Sequence, residues 1–119
     1  MADLITAGEL PKDFTYPREF VRVVELGLTR LDPWWIIQGD VLRGLHRDLR
    51  ERYPTRELIP FAKRRDNDDI ACWEAGGSYE IVVIHDFASP GWEDRQRRRF
   101  PNFNAWFRQA IEDLIEFES

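Results

Sequence analysis

The chain has 119 residues, and its 17 basic and 22 acidic side chains give a formal net charge of -5 at pH 7. This length predicts one domain, and a hydrophobic share of 43% supplies a folded core, which excludes an intrinsically disordered chain. No apolar run exceeds four residues, far short of the ~18 that span a bilayer, and no hydrophobic signal segment follows Met1. We therefore expect no membrane association. The lone Cys72 forms neither an internal disulfide nor a thiolate zinc site, so we expect a cytoplasmic protein.

The first helix is predicted to follow an N-terminal arm. Residues 1–13 are expected to form this arm, loosely held, and residues 14–119 to form a single folded unit. Pro17 is tolerated in a first helical turn, and from Phe20 onward apolar residues recur at the three-four spacing of one buried stripe. Gly27 is a suitable residue for the end of this helix.

A second helix is predicted from Gly39–Asp40 to the residue before Pro54. The short apolar run Trp34–Ile37 that precedes it is expected to lie as a strand or a tight turn against the core. Apolar residues and arginines occupy different faces of the helix, because each residue advances the helix by about 100°. The apolar face consists of Leu42, Leu45, Leu49 and Tyr53, and the basic face consists of Arg43, Arg47 and Arg50.

Three β-rich runs follow the second helix and predict a three-stranded antiparallel meander. The turns between them, Asp66–Asn67 and Gly76–Gly77, are made of residues that accept a positive φ and close two-residue hairpins. Pro60 cannot donate to a strand ladder, so the first run is expected to be an edge strand or to carry a bulge. The runs are Leu58–Arg65, Asp69–Ala75 and Tyr79–Phe87.

A final helix is predicted after a long irregular stretch, Ala88–Pro101. Asn102 is a good N-cap for it, and its apolar residues form a broad face that would pack on the sheet. The predicted fold class is therefore α+β, an antiparallel β-meander packed with N-terminal helices and one C-terminal helix. The apolar face consists of Phe103, Trp106, Phe107, Ala110, Ile111 and Leu114.

Two residue pairs on the predicted meander were considered for catalysis. With both hairpins tight, Cys72 stands opposite Phe61 and Ile81, and Asp68 stands opposite His85. Cys72 and His85 would then share a face about 13 Å apart, too far for an activated thiol, so we interpret Cys72 as a core residue. Asp68 and His85 would form an acid/base or a structural pair, and we favour the structural role because no nucleophile accompanies them.

Metal and cofactor sites are not predicted. The acids within Asp66–Asp69 resemble a calcium loop, but Ala71 and Gly77 occupy the positions that require glycine and an acid. These acids are better explained as turn residues and as partners of neighbouring arginines. His46 has no second histidine or glutamate four residues away, so we expect no zinc site there.

Exposed tryptophans and arginines point to a partner-binding surface. Trp35 follows another tryptophan, so in an extended chain one of the two faces outward, and Trp92 lies in the irregular stretch. Arg95, Arg97 and Arg98 follow Trp92, and exposed aromatics beside arginine are typical of interaction hot spots. We expect a protein partner at these residues. Nucleic acid is not expected, because a domain of net charge -5 must overcome its own field to collect phosphates.

Six pieces of the sequence follow one another in a recognisable order: Pro17–Phe20, Trp34–Ile37, Leu58–Ala62, Asp68–Trp73, Val82–His85 and Phe100–Phe107. This order resembles the SUKH superfamily, which includes fungal glucan-synthesis regulators and many bacterial proteins. The resemblance covers about residues 10–117. It implies an α+β fold without shared catalytic residues, and it implies that the chain is an immunity protein that binds and neutralises a cognate toxin, frequently a nuclease. A regulatory scaffold of the same fold, or a small hydrolase or ligand-binding domain that uses Asp68 and His85, stays as an alternative.

Overall fold

The computed structural model describes residues 3–66, 68–76, 78–85 and 99–117. In these ranges an antiparallel sheet of six strands, ordered β1-β2-β3-β4-β5-β6, carries three helices. The predicted α+β class, the meander order and the C-terminal helix are thereby confirmed. None of the described helices is long and apolar enough to cross a membrane. The elements are α1 (Arg18–Glu25), β1 (Arg30–Leu31), β2 (Trp34–Ile36), α2 (Gly39–Arg52), β3 (Leu58–Arg64), β4 (Asp69–Glu74), β5 (Ile81–His85), β6 (Arg99–Phe100) and α3 (Phe103–Glu116).

The helix boundaries follow the residues that predicted them. Pro17 is the N-cap of α1, and Gly27 lies just beyond its end with a φ of 77°, a left-handed value that glycine adopts without strain. Gly39 begins α2 as predicted. The Asn102 side chain accepts a hydrogen bond of 2.9 Å from the Ala105 amide, which satisfies one of the free amides at the start of α3.

The sheet has two covered faces with different cores. On the face covered by α1 and α3, which we call the aromatic face, Phe61 and Trp73 lie 4.4 Å apart between ring centroids, and Trp34 packs edge-on against Trp106 at 5.4 Å. These rings bury a large apolar area and gain further from edge-to-face geometry. The opposite face, which we call the α2 face, is covered by the predicted apolar stripe of α2, and Cys72 is fully buried there.

The N-terminal residues 3–13 contact the α2 side of the molecule. Ile5 is buried in the core beneath α2, and the Asp3 carboxylate lies 2.9 Å from the Arg43 guanidinium. The Gly39 amide at the start of α2 donates to the Asp3 carbonyl oxygen at 2.8 Å. The exposed Arg43–Asp3 pair itself adds little stability, so Ile5 is the main apolar anchor of this segment.

A β-bulge in β3 corrects the predicted strand register. The bulge follows Pro60, one of the two outcomes that the proline predicted, and β3 lies inside the sheet instead of at its edge. Cys72 therefore pairs with Pro60 instead of Phe61. Across the other ladder Cys72 pairs with Val82 instead of Ile81, because the register of β4 and β5 is shifted by one residue from that of a two-residue turn. The tight-turn assumption was therefore wrong for that hairpin.

Candidate functional site

Trp35 stands in a row of side chains across three strands of the α2 face. It pairs with Arg30 on β1 and with Lys63 on β3, and directly paired residues point to the same face of a sheet. Strands lie about 4.8 Å apart, so the two cationic residues are separated by roughly 10 Å with the indole between them. We call these three residues the Trp35 row. Trp35 is 39% exposed, because α2 covers the neighbouring strands and leaves this part of the face open.

The charges of the Trp35 row are uncompensated in the described part of the chain. Neither Arg30 nor Lys63 has a carboxylate partner there, whereas Arg65 at the rim pairs with Asp32 at 3.0 Å. Arg30, Asp32, Trp35 and Arg65 line a cleft of about 360 Å³. An exposed indole flanked by cations can hold an apolar group against its ring while carboxylates contact the cations. This combination is that of an interaction hot spot.

Trp35 is the predicted partner-binding residue that the structure describes. Trp92, Arg95, Arg97 and Arg98 lie outside the described residues. Arg99, which follows them and begins β6, pairs with Glu80.

On the opposite face of the sheet, a polar network joins α3 to β2 and β3. The buried Trp34 indole N–H donates to Asp113 Oδ2 at 3.0 Å, and Gln109 Nε2 donates to Asp113 Oδ1 at the same distance. The Arg64 guanidinium lies 3.8 Å from Asp113 and 5.5 Å from the centroid of the Trp34 ring. The sequence analysis did not identify this network, because Asp113 and Trp34 are 79 residues apart.

The acidic turn before β4 binds arginine. Asp66 accepts two hydrogen bonds of 2.8 Å from Arg64, and these hydrogen bonds hold the pKa of the Asp66 carboxyl below its usual value. Arg65, at the same turn, contacts Asp32 at 3.0 Å. Among the described residues, no group of three metal-ligating side chains lies close enough to hold an ion.

The predicted Asp68–His85 pair is replaced by a pair between His85 and the next aspartate. Asp69 pairs with His85 across β4 and β5, and its Oδ1 lies 3.0 Å from His85 Nδ1. Asp69 is buried and His85 is partly exposed, so the carboxylate fixes the orientation of the imidazole. Cys72 points to the α2 face whereas His85 shares the aromatic face with Asp69, so the thiol and the imidazole lie on opposite sides of the sheet. The expectation that they share a face was wrong, because the register of β4 and β5 differs by one residue from the predicted one.

His46 borders a cleft of about 410 Å³. The side chain lies on the buried side of α2 and is 6% exposed. Burial and the nearby Arg50 guanidinium lower the pKa of His46, so the imidazole is neutral at pH 7. The sequence analysis did not find this cleft, because three separate chain segments form it.

Comparisons with protein-family models, with curated proteins and with solved structures found no match to this chain.

Proposed function

We propose that this protein is a non-catalytic protein-binding module that neutralises a cognate bacterial toxin, such as a nuclease, in the cytoplasm, and that the Trp35 row forms part of the surface that binds it. The observation that carries the proposal is an exposed tryptophan held between Arg30 and Lys63, two cations without a carboxylate partner in the described residues. The toxin class comes from the resemblance of the sequence to bacterial immunity proteins.

The Trp35 row is poorly explained by stability alone. An exposed indole leaves much of its apolar surface in water, and the two flanking cations repel each other with no acid between them. A partner that places an apolar side chain on the indole and carboxylates beside Arg30 and Lys63 removes both unfavourable features. Buried aromatic and arginine anchors of this kind contribute about 2 kcal/mol or more each to binding at protein interfaces.

The charge of the whole chain supports a cationic partner at longer range. The net charge of -5 attracts a basic protein such as a nuclease, and this attraction raises the rate of association. The last turns of α3 carry Glu112 and Glu116 on the surface, and Ile115 between them is 70% exposed. The Trp35 row is locally basic, so the partner is expected to present acidic groups where it contacts Trp35.

A small hydrolase is the second candidate, and the Asp69–His85 contact is the observation that favours it. A buried carboxylate that orients a partly exposed imidazole is an arrangement used for general base catalysis. That function requires a measured activity that His85→Ala abolishes without unfolding the protein. A regulatory scaffold would form stable complexes at the Trp35 row without protecting cells from a toxin.

Co-expression with the protein encoded beside this one tests the proposal. The neighbour is expected to stop cell growth when expressed alone, and the wild-type chain is expected to restore growth and to bind the neighbour directly. A neighbour that is not toxic, or whose toxicity this chain leaves unchanged, would overturn the immunity function.

Two variants test the role of the Trp35 row. Trp35→Ala is expected to weaken binding about 30-fold, which corresponds to about 2 kcal/mol, and Arg30→Glu is expected to weaken it similarly. Arg108→Glu is the matched control, because it makes the same charge change at an exposed position on α3, across the sheet. Wild-type affinity in both Trp35→Ala and Arg30→Glu would place the interface elsewhere, even if the chain protects cells.

A further inference from the structure

The cleft around His46 is built from three segments that meet beside the second half of α2. Residues 9–11 form one wall, His46 and Arg50 form the second, and residues 54–59 close the third side. Its volume of about 410 Å³ lies within the range of ~300–1,000 Å³ that is typical of small-ligand sites. The Trp35 row does not contribute to this cleft.

His46 presents its imidazole to the cleft. It is 6% exposed, it borders the cleft, and no described residue donates to or accepts from its imidazole. The ring nitrogens are not among the fully buried unpaired polar atoms of the described residues, so they are open to the cleft and accessible to a ligand. A neutral imidazole has one N–H donor, which suits an oxygen acceptor.

Arg50 supplies a positive charge next to this imidazole. It lies four residues after His46 on α2, so the two side chains are neighbours on one face of the helix. Arg50 is exposed and has no carboxylate partner among the described residues. A guanidinium and an imidazole side by side fit the two oxygens of one carboxylate, to which arginine donates in a planar fork.

The remaining lining limits the charge of the ligand and gives it an apolar contact. Arg56 is held by Glu74 through hydrogen bonds of 2.9 and 3.0 Å, so it does not add a second free cation. Glu9 and Glu57 also line the cleft and disfavour a ligand with two negative charges. The rest of the lining consists of Leu10, Pro11, Pro54, Leu58 and Ile59.

We propose that this cleft binds a small organic monocarboxylate, with its carboxylate between Arg50 and His46 and its apolar part against Leu10 and Pro54. The proposal does not depend on toxin neutralisation, because it uses a different surface. Phenylacetate is a suitable probe, since it combines one carboxylate with one apolar ring. Ligands of this size that make one charged contact bind with dissociation constants on the order of 1 mM.

NMR of the imidazole protons tests the proposal, because the chain has two histidines. The His46 signal is assigned as the one that His46→Gln removes. Titration with phenylacetate to about 20 mM is expected to move the His46 signal saturably and to leave the His85 signal in place. Phenylacetamide, the neutral analogue, is expected to bind at least about tenfold more weakly, and so is inorganic phosphate.

Arg50→Gln and Arg47→Gln form a matched pair on α2, because both residues are exposed and Arg47 does not line the cleft. Arg50→Gln is expected to weaken phenylacetate binding at least about tenfold, and Arg47→Gln to leave it unchanged, with folding of both checked by circular dichroism. A His46 signal that does not move, equal binding of phenylacetamide, or unchanged binding in a folded Arg50→Gln would each overturn the proposal.

Discussion

Asp113→Ala tests the network that joins α3 to the sheet. The substitution removes the acceptor of the Trp34 indole N–H, which donates to Asp113 at 3.0 Å. Trp34 is 3% exposed, so its N–H would lose its partner inside the protein. Leaving a buried donor unsatisfied costs ~1–3 kcal/mol. The Arg64 contact adds little to this, because Arg64 lies 3.8 Å away and keeps its two hydrogen bonds to Asp66.

We therefore expect Asp113→Ala to lower the free energy of unfolding by about 2 kcal/mol. For a urea dependence of about 2 kcal/mol per molar, the unfolding midpoint falls by about 1 M. Far-UV circular dichroism measures the transition without depending on tryptophan fluorescence. Glu112→Ala is the control, because the neighbouring Glu112 is exposed on the same helix and its replacement also exchanges one carboxylate for alanine, with a small gain in helix propensity.

A double-mutant cycle isolates the hydrogen bond from other effects of the substitution. Trp34→Phe removes the donor, so Asp113→Ala in that background is expected to cost at least about 1 kcal/mol less than in the wild type. The Trp34–Asp113 hydrogen bond does not stabilise the fold if the free energies of unfolding of Asp113→Ala and Glu112→Ala agree within about 0.5 kcal/mol, or if the cycle shows no coupling.

Asn102→Ala is expected to lower the free energy of unfolding by about 1 kcal/mol, because the Ala105 amide loses its cap, and thermal unfolding measures this loss. Asn104→Ala on the same turn should leave stability unchanged or slightly higher, and an equal loss in both variants would contradict a capping role. The pKa of His46 is lower in the folded chain than in the unfolded chain, where it is about 6.5. The unfolded chain therefore binds a proton at His46 more readily, and the free energy of unfolding falls as the pH drops from about 6.5 to the folded pKa. Urea unfolding at about pH 7.5 and about pH 5.5 should show a smaller loss in His46→Gln than in the wild type, and equal losses would refute this account.

The helices were predictable because their signals are local. Pro17 and Gly27 bound α1, Gly39 begins α2, and Asn102 caps α3, each as the sequence indicated. Capping depends on one residue and the amides within one turn of it, so no tertiary information is needed.

The sheet was predictable in order but not in detail. Trp34–Ile37 was expected as a strand or a tight turn, and its residues Trp34–Ile36 form β2. The strands β1 and β6 have two residues each, too few for an alternating pattern to identify them as members of the sheet. The true register of β4 and β5 differs by one residue from the predicted one, so Asp69 and not Asp68 pairs with His85. Because strand side chains alternate between faces, the same shift changes which residues share a face with His85.

The candidate sites differ in how much the sequence revealed. That Trp34 and Trp35 face opposite sides followed from their adjacency, and the structure places Trp35 outward. The flanking cations Arg30 and Lys63 were not predicted, because they come from other strands and their alignment depends on register. The His46 cleft requires contacts between segments far apart in the chain, which single-sequence patterns do not contain.

The bulge after Pro60 decides which cation meets which tryptophan. Because it inserts one extra residue, Lys63 lies on the side of Trp35 and Arg64 lies on the side of Trp34. Without the extra residue, the two halves of β3 could not both keep their present faces: either Lys63 and Arg64 would exchange faces, or Leu58 and Ile59 would. A change in the length of β3 at the bulge therefore disturbs half of the strand at once. A substitution at Phe61 changes one side chain and leaves the pairing of Lys63 with Trp35 and of Arg64 with Trp34 in place.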